Sequence, residues 1–116
     1  MFHDDLRVKI DDYVFFVYTL TKFIPKEELY GVTSQLRKAT LSIALNYIEG
    51  YARQSKKSIK YFYDISYGSL KESKYLVEFS NKMGYIPEED LKRAVAMNDE
   101  IGAMLWTAIK GIKADI

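Results

Sequence analysis

Leu6, Ile10, Tyr13, Val17, Leu20 and Ile24 follow one another at alternating spacings of four and three, the mark of an apolar seam along one side of an α-helix. The period returns three more times. Leu36, Thr40, Ile43 and Tyr47 carry it in a second segment, with Ala39, Ala44 and Ile48 beside them. Ile59, Phe62, Ser66, Ser69, Ser73, Leu76, Ser80 and Met83 carry it in a third, and Leu91, Val95, Asn98, Ile101, Leu105, Ala108 and Ile112 in a fourth. The two prolines, Pro25 and Pro87, fall between these segments. Gly31, Gly50, Gly84 and Gln54-Ser55-Lys56-Lys57 supply the remaining punctuation. Val14-Phe15-Phe16-Val17-Tyr18 is rich in strand formers, but the seam through it runs well past a strand's length.

The spacing predicts a first helix over about 5–23, with Asp4 and Asp5 at its N-terminal end. Lys26 to Gly31 reads as a helical turn closed by the glycine, after which Thr33 or Ser34 caps a second helix reaching about Arg53. Ser55 or Ser58 caps a third, over about 58–83, which Gly84 stops. Pro87 suits the first turn of a fourth, followed by Glu88-Glu89-Asp90, with Lys110 and Lys113 suited to its C-terminal end. Gly50 either permits a close contact or marks where the second helix begins to end. The serines of the third seam let another backbone approach closely. The expectation is one all-α domain over residues 1–116, an antiparallel up-and-down four-helix bundle. The first helix is apolar on more than one face, which suits contacts beyond its own bundle.

The chain has 116 residues and no cysteine, so disulfides, zinc fingers, iron–sulfur clusters and thiol nucleophiles are excluded. Its one histidine, His3, lies beside a terminus expected to fray, which removes the usual residue of hydrolase triads and His-rich metal sites. The acidic N-terminal residues do not read as a secretory signal, and the longest apolar run, Tyr13 to Tyr18, is far short of a membrane span. A soluble cytoplasmic protein with no membrane partner is expected.

A net charge of +1 excludes coating nucleic acid by bulk charge, but the distribution is uneven. Arg37, Lys38, Arg53, Lys56, Lys57 and Lys60 face Glu49 alone in residues 31–60. This reads as a phosphate-binding surface around the second helix and the loop after it. Tyr47, Tyr51, Tyr61 and Tyr63 lie nearby, and Tyr51 is the aromatic best suited to stack on a base. The plainer reading is a solvated helix end beside an aromatic core. Arg37 and Arg53 are about 24 Å apart along a helix and cannot share one compact patch. Lys56, Lys57 and Lys60 are the tighter cluster, and a cyclic oligomer would repeat them around a rim.

Asn46, Glu49 and Arg53 share one side of the second helix, and Gly68, Ser69 and Glu72 belong to the third. A polar network of Asn46, Glu49, Arg53, Ser69 and Glu72 crossing between helices would specify their register. Glu49 and Arg53 alone would make an exposed ion pair of little consequence. An enzyme would use Glu49 and Glu72 as an acid–base pair or as hard-metal ligands. Di-iron bundles, however, need Glu-x-x-His on two helices, and magnesium-holding bundles use Glu-Glu-x-x-Glu clusters, neither of which occurs. No catalytic residue, metal ligand, cofactor or small-molecule substrate is therefore expected.

Phe23-Ile24-Pro25-Lys26-Glu27-Glu28-Leu29-Tyr30-Gly31, the run from Thr33 through Gly50, and Tyr67-Gly68-Ser69-Leu70-Lys71-Glu72 together resemble the four-helix-bundle proteins encoded within intervening sequences of bacterial 23S ribosomal RNA genes. Position by position, the family's motif falls on Gln35, Arg37, Asn46, Glu49, Gly50 and Arg53, then on Gly68, Ser69 and Glu72. Lys38 stands where many members have a second arginine, and it keeps the charge without the planar fork. That family is similar in fold to the accessory protein of diversity-generating retroelements. The resemblance implies a homopentamer and an RNA or nucleoprotein partner, and it implies no reaction. The leading expectation is thus a non-enzymatic oligomeric bundle that binds RNA or a ribonucleoprotein through Arg37, Lys38, Tyr51, Arg53, Lys56, Lys57 and Lys60. The alternative is a protein-interaction adaptor, whose apolar first helix and tyrosines serve assembly or dock a protein such as a reverse transcriptase.

Overall fold

The computed structural model describes residues 1–114, with side chains through residue 112. α1 spans Phe2–Thr21, α2 Val32–Tyr51, α3 Lys56–Lys82 and α4 Glu88–Ala114, with a 3-10 turn at Lys26–Glu28. α1 packs on α2 and α4, and α3 packs on α2 and α4. Short connections make consecutive helices antiparallel, which gives the up-and-down bundle that the four seams predict. It measures 46 × 25 × 19 Å. The N-terminus of α1, the α2–α3 turn and the C-terminal part of α4 share one end. None of the described helices is long and apolar enough to cross a membrane. The side chain of Lys113 lies outside the described residues.

The helix ends show which local signals act. α1 starts earlier than its seam, because the Asp5 N–H reaches the Met1 carbonyl at 2.9 Å and draws His3 into the first turn. It stops at Thr21, where the N–H groups of Phe23 and Ile24 turn back to Leu20 and Thr21 ahead of Pro25. α2 is capped by neither Thr33 nor Ser34. Gly31 is its N-cap and has no side-chain acceptor to offer, and its carbonyl receives the Gln35 N–H at 3.0 Å. The 3-10 turn delivers the chain to the helix two residues earlier than Thr33, so Thr33 lies inside α2 and is buried. Of the two serines proposed for α3, Ser55 is the cap, accepting from the Ser58 N–H at 3.1 Å. Gly84 ends that helix region with φ +82°, and the Tyr85 N–H closes onto the Ser80 carbonyl at 2.9 Å. Pro87 sits just before α4, where its carbonyl accepts from both Asp90 and Leu91.

The first seam is buried along its whole length, and Leu36, Ile43, Leu70, Ile101 and Leu105 meet it in the core. Ile48, placed beside the second seam, faces outward instead. The serines of α3 do what small residues on a seam allow. Ser73 and Ser80 bond back to the carbonyls of Leu70 and Leu76, while Ser66 reaches across to the Ile43 carbonyl of α2 at 2.7 Å. At Gly50 an added Cβ would lie 2.6 Å from Cδ1 of Tyr63, so this glycine serves close contact between α2 and α3.

One polar node sits at the centre. Asn98 Nδ2 donates to the Leu70 carbonyl at 2.9 Å and to Tyr13 Oη at 3.0 Å. Tyr13 Oη lies 2.9 Å from Ser73 Oγ, which itself donates to the Leu70 carbonyl at 2.8 Å. The node joins α1, α3 and α4 and bridges the α1–α3 diagonal. Asn98 Oδ1 is buried there without a partner. An unpaired buried acceptor is costly, so the node specifies an arrangement more than it adds stability.

Candidate nucleic-acid interface

α2 ends at Tyr51 and α3 begins at Lys56, so a four-residue turn gathers Tyr51, Arg53, Lys56, Lys57 and Lys60 at one corner of the bundle. Tyr51 is 62% exposed, and Arg53, Lys56 and Lys57 are exposed. Arg53 donates from Nε and Nη2 to Oε2 of Glu49 at 3.1 and 3.0 Å, while its guanidinium lies 4.7 Å over the Phe62 ring. Lys60 pairs with Asp64 at 2.5 Å. Both ion pairs run along their own helices in water-exposed positions, where such pairs are weak enough for a phosphate to compete. The N-terminal end of the α3 dipole adds to the positive field here.

Arg37 and Lys38 are not part of this corner. They lie near the other end of α2, and Arg37 is half-buried between helices. Its Nε and Nη2 both donate to Thr21 Oγ1 of α1, at 3.1 and 3.0 Å, and its guanidinium sits 5.4 Å from the Tyr18 ring centroid. This fork is occupied in holding α1 to α2. Lys38 is exposed.

Nor do Asn46, Glu49, Arg53, Ser69 and Glu72 join in one network. Asn46 Nδ2 donates to the carbonyl and the hydroxyl of Ser42, at 2.9 and 3.0 Å, and Ser42 Oγ lies 2.7 Å from Ser69 Oγ. That chain links α2 to α3. Three residues past Asn46 the helix has turned about 60° short of a full circle. Glu49 therefore points to solvent, with Arg53 as its partner. Glu72 is exposed on α3. Among the described residues no group of three His, Asp or Glu could hold a metal.

An aromatic column completes this end. Tyr47 and Tyr63 are buried and nearly parallel, with centroids 5.3 Å apart. Tyr51 stacks on Tyr47 at 6.3 Å, and His3 lies 6.0 Å from Tyr47 and 5.1 Å from Tyr51. His3 Nδ1 is 2.6 Å from Tyr47 Oη, which also contacts the His3 carbonyl at 3.3 Å. Burial first, then the neighbouring Tyr51, pushes the Tyr63 phenol up to about 12. Burial likewise pushes Tyr47 up, with Tyr63 and Tyr51 adding to it. The sequence places His3 beside a terminus expected to fray, whereas the fold packs it into this column. The available signal was the pair Tyr47 and Tyr51 at a spacing of four, with Gly50 between them. It leaves room on one helix face for rings from elsewhere.

A crystal structure of a protein of unknown function from the S23 ribosomal protein family of Bacteroides thetaiotaomicron has the same fold. It superposes with a TM-score of 0.87 at 22% identity, covering 95% of this chain and 99% of its own. No curated protein matches the chain. The family model described as 23S rRNA-intervening sequence protein matches residues 7–107, which takes in α2 and α3 whole, most of α1 and α4, the Arg37 anchor and the α2–α3 corner; the chain belongs to that family.

Proposed function

We propose that this protein is a non-enzymatic, self-associating bundle that binds RNA or a ribonucleoprotein at the corner between α2 and α3. The observation that carries the reading is the gathering of Tyr51, Arg53, Lys56, Lys57 and Lys60 around one turn. These side chains lie outside the main core and present cations beside an aromatic face. The family's link to ribosomal RNA genes supports the choice of partner, and on this reading the protein works in the cytoplasm. Glu49, the carboxylate that an acid–base scheme would need, is held by Arg53, which favours a binding role over a catalytic one.

The test is titration of labelled RNA hairpins with the purified protein at several salt concentrations. Affinity falls steeply with salt, and the triple charge reversal K56E/K57E/K60E weakens it strongly and flattens the salt slope. Unchanged binding by that variant removes the assignment to this corner.

A separate observation favours the adaptor reading for another face. Leu41, Leu45 and Ile48 repeat the four-and-three spacing on the outside of α2, and Val8 and Phe15 are exposed on α1. Phe15 is 73% exposed, which is unusual for phenylalanine in a chain that stays alone. On this reading further copies of the chain cover the face, in a homopentamer as the family resemblance implies, and docking of a protein such as a reverse transcriptase is the rival occupant. A stable oligomer without nucleic acid supports assembly.

A further inference from the structure

We propose that the bundle end beside Tyr51 and His3 takes an unpaired nucleobase, so that the RNA preferred is single-stranded. This rests on the RNA reading above and adds to it the form of the ligand and the place where the base goes. Two shallow cavities flank the Tyr51–His3 pair. The one toward α1, of about 110 Å³, carries Asp4 and Arg7 at its rim. Arg7 pairs with Asp11 at 3.5 Å and Asp4 with the Met1 ammonium at 3.6 Å, so opposite charges offset one another here and this side presents no excess of positive charge to a phosphate. The other, of about 230 Å³, is lined by Gly50, Ile59, Tyr63, Ala108 and Ile112 beside the pair. It runs on past His3 and Ile59 to Lys56, which lines the next stretch of the same groove.

The chemistry of that second side suits a base. Its walls are apolar and aromatic, which accommodates a planar ring and does not suit a hydrated phosphate. The Tyr51 ring is exposed, yet it is braced from behind by Tyr47, and Tyr47 by Tyr63. A platform stacked in this way is already ordered before a ligand arrives, which lowers the entropic cost of stacking. Lys56 lines the groove, and exposed Lys57 stands next to it for the flanking phosphates. A duplex cannot use the site. Its bases are paired and stacked, and the deep major groove of A-form RNA keeps side chains from their edges.

The experiment compares labelled oligouridylate and oligoadenylate with an RNA duplex of similar charge, at low salt, by fluorescence anisotropy on the full chain. Wild type binds the single strands more tightly than the duplex. Tyr51→Ala weakens single-strand binding about tenfold or more and Tyr51→Trp restores it, whereas the change in duplex binding is far smaller. Tyr51 is largely exposed, so the variants keep the wild-type helical signal and melting behaviour, which is checked in parallel. Equal affinity for duplex and single strand, or a Tyr51→Ala protein that binds single strands as wild type does, overturns the nucleobase site and leaves RNA binding at the corner standing. Failure of every RNA to bind at low salt overturns both.

Discussion

A methyl group at Gly50 would meet Tyr63 Cδ1 at 2.6 Å and Cε1 at 2.7 Å, in a ring that is itself packed against Tyr47. Tyr63 cannot swing away without breaking that stack. Gly50→Ala gains helix propensity of about 1 kcal/mol but forces overpacking of about 1–3 kcal/mol, so a lowered melting temperature is expected. Asn98 poses the opposite problem, a side chain that is present and needed. Asn98→Ala removes donors to Tyr13 and to the Leu70 carbonyl and opens a cavity, for an expected loss of about 1–3 kcal/mol by denaturant titration. The phenols set an alkaline limit. Tyr63 is neutral when folded until about 12, against an ordinary phenol value near 10 once unfolded. Between those values the folded state holds a proton that the unfolded chain has released, so its contribution to stability is complete below about pH 10 and is lost toward 12. Melts recorded across that range should show Tyr63→Phe declining less steeply than wild type.

Pairs of helices depend on a few polar ties laid over continuous apolar seams. Arg37 joins α2 to α1 through Thr21, and Ser66 joins α3 to α2 through the Ile43 carbonyl. These ties distinguish two sets of basic residues that look alike in the sequence. Arg37→Met should destabilise the bundle by about 1 kcal/mol and leave RNA affinity unchanged. Lys57→Glu, exposed at the start of α3, should do the reverse, leaving the melting curve in place while weakening RNA binding. If Arg37→Met lost RNA affinity at full stability, the assignment of Arg37 to packing would be wrong. Element identity itself was plain from periodicity, down to the turn at Lys26–Glu28. The α2 start was not, because the capping rule favours a side-chain acceptor and this helix starts on a glycine fed by a preceding 3-10 turn.

At the scale of the whole molecule, four helices bury one face each and two of them keep a second apolar stripe outside. Leu45 sits in the middle of the α2 stripe and is 61% exposed. If copies of the chain assemble through this stripe as proposed, Leu45→Glu should reduce the mass in solution, measured by light scattering, while the helical signal stays at the wild-type level. A variant that kept its oligomer would move the assembly surface elsewhere. The ends of the bundle differ as well. One carries the α2–α3 corner with its lysines, while at the other Tyr85 Oη donates to Glu28 at 3.0 Å and ties the α1–α2 connection to the α3–α4 turn.

Seam period, proline placement and glycine stops were sufficient to read four antiparallel helices and the core lines of α1 and α2, since burial on one face imposes a period that local sequence must carry. On α3 and α4 the buried line is rotated from the expected seam: it takes in Tyr63, Leu70, Val77, Ala94 and Ile109 and leaves Met83 exposed, because small and apolar residues there permit more than one face to turn inward. The cluster of Tyr51, Arg53, Lys56, Lys57 and Lys60 was legible for a similar reason, because a single turn holds it together. The partners of the polar side chains were decided only in three dimensions. His3 meets Tyr47 across 44 residues, Arg37 meets Thr21 across 16, and Asn98 meets Tyr13 across 85. Such meetings depend on how far each helix is rotated and slid against its neighbour. Many registers satisfy the same apolar period, and the packing of side chains such as Tyr63 against Gly50 selects one of them.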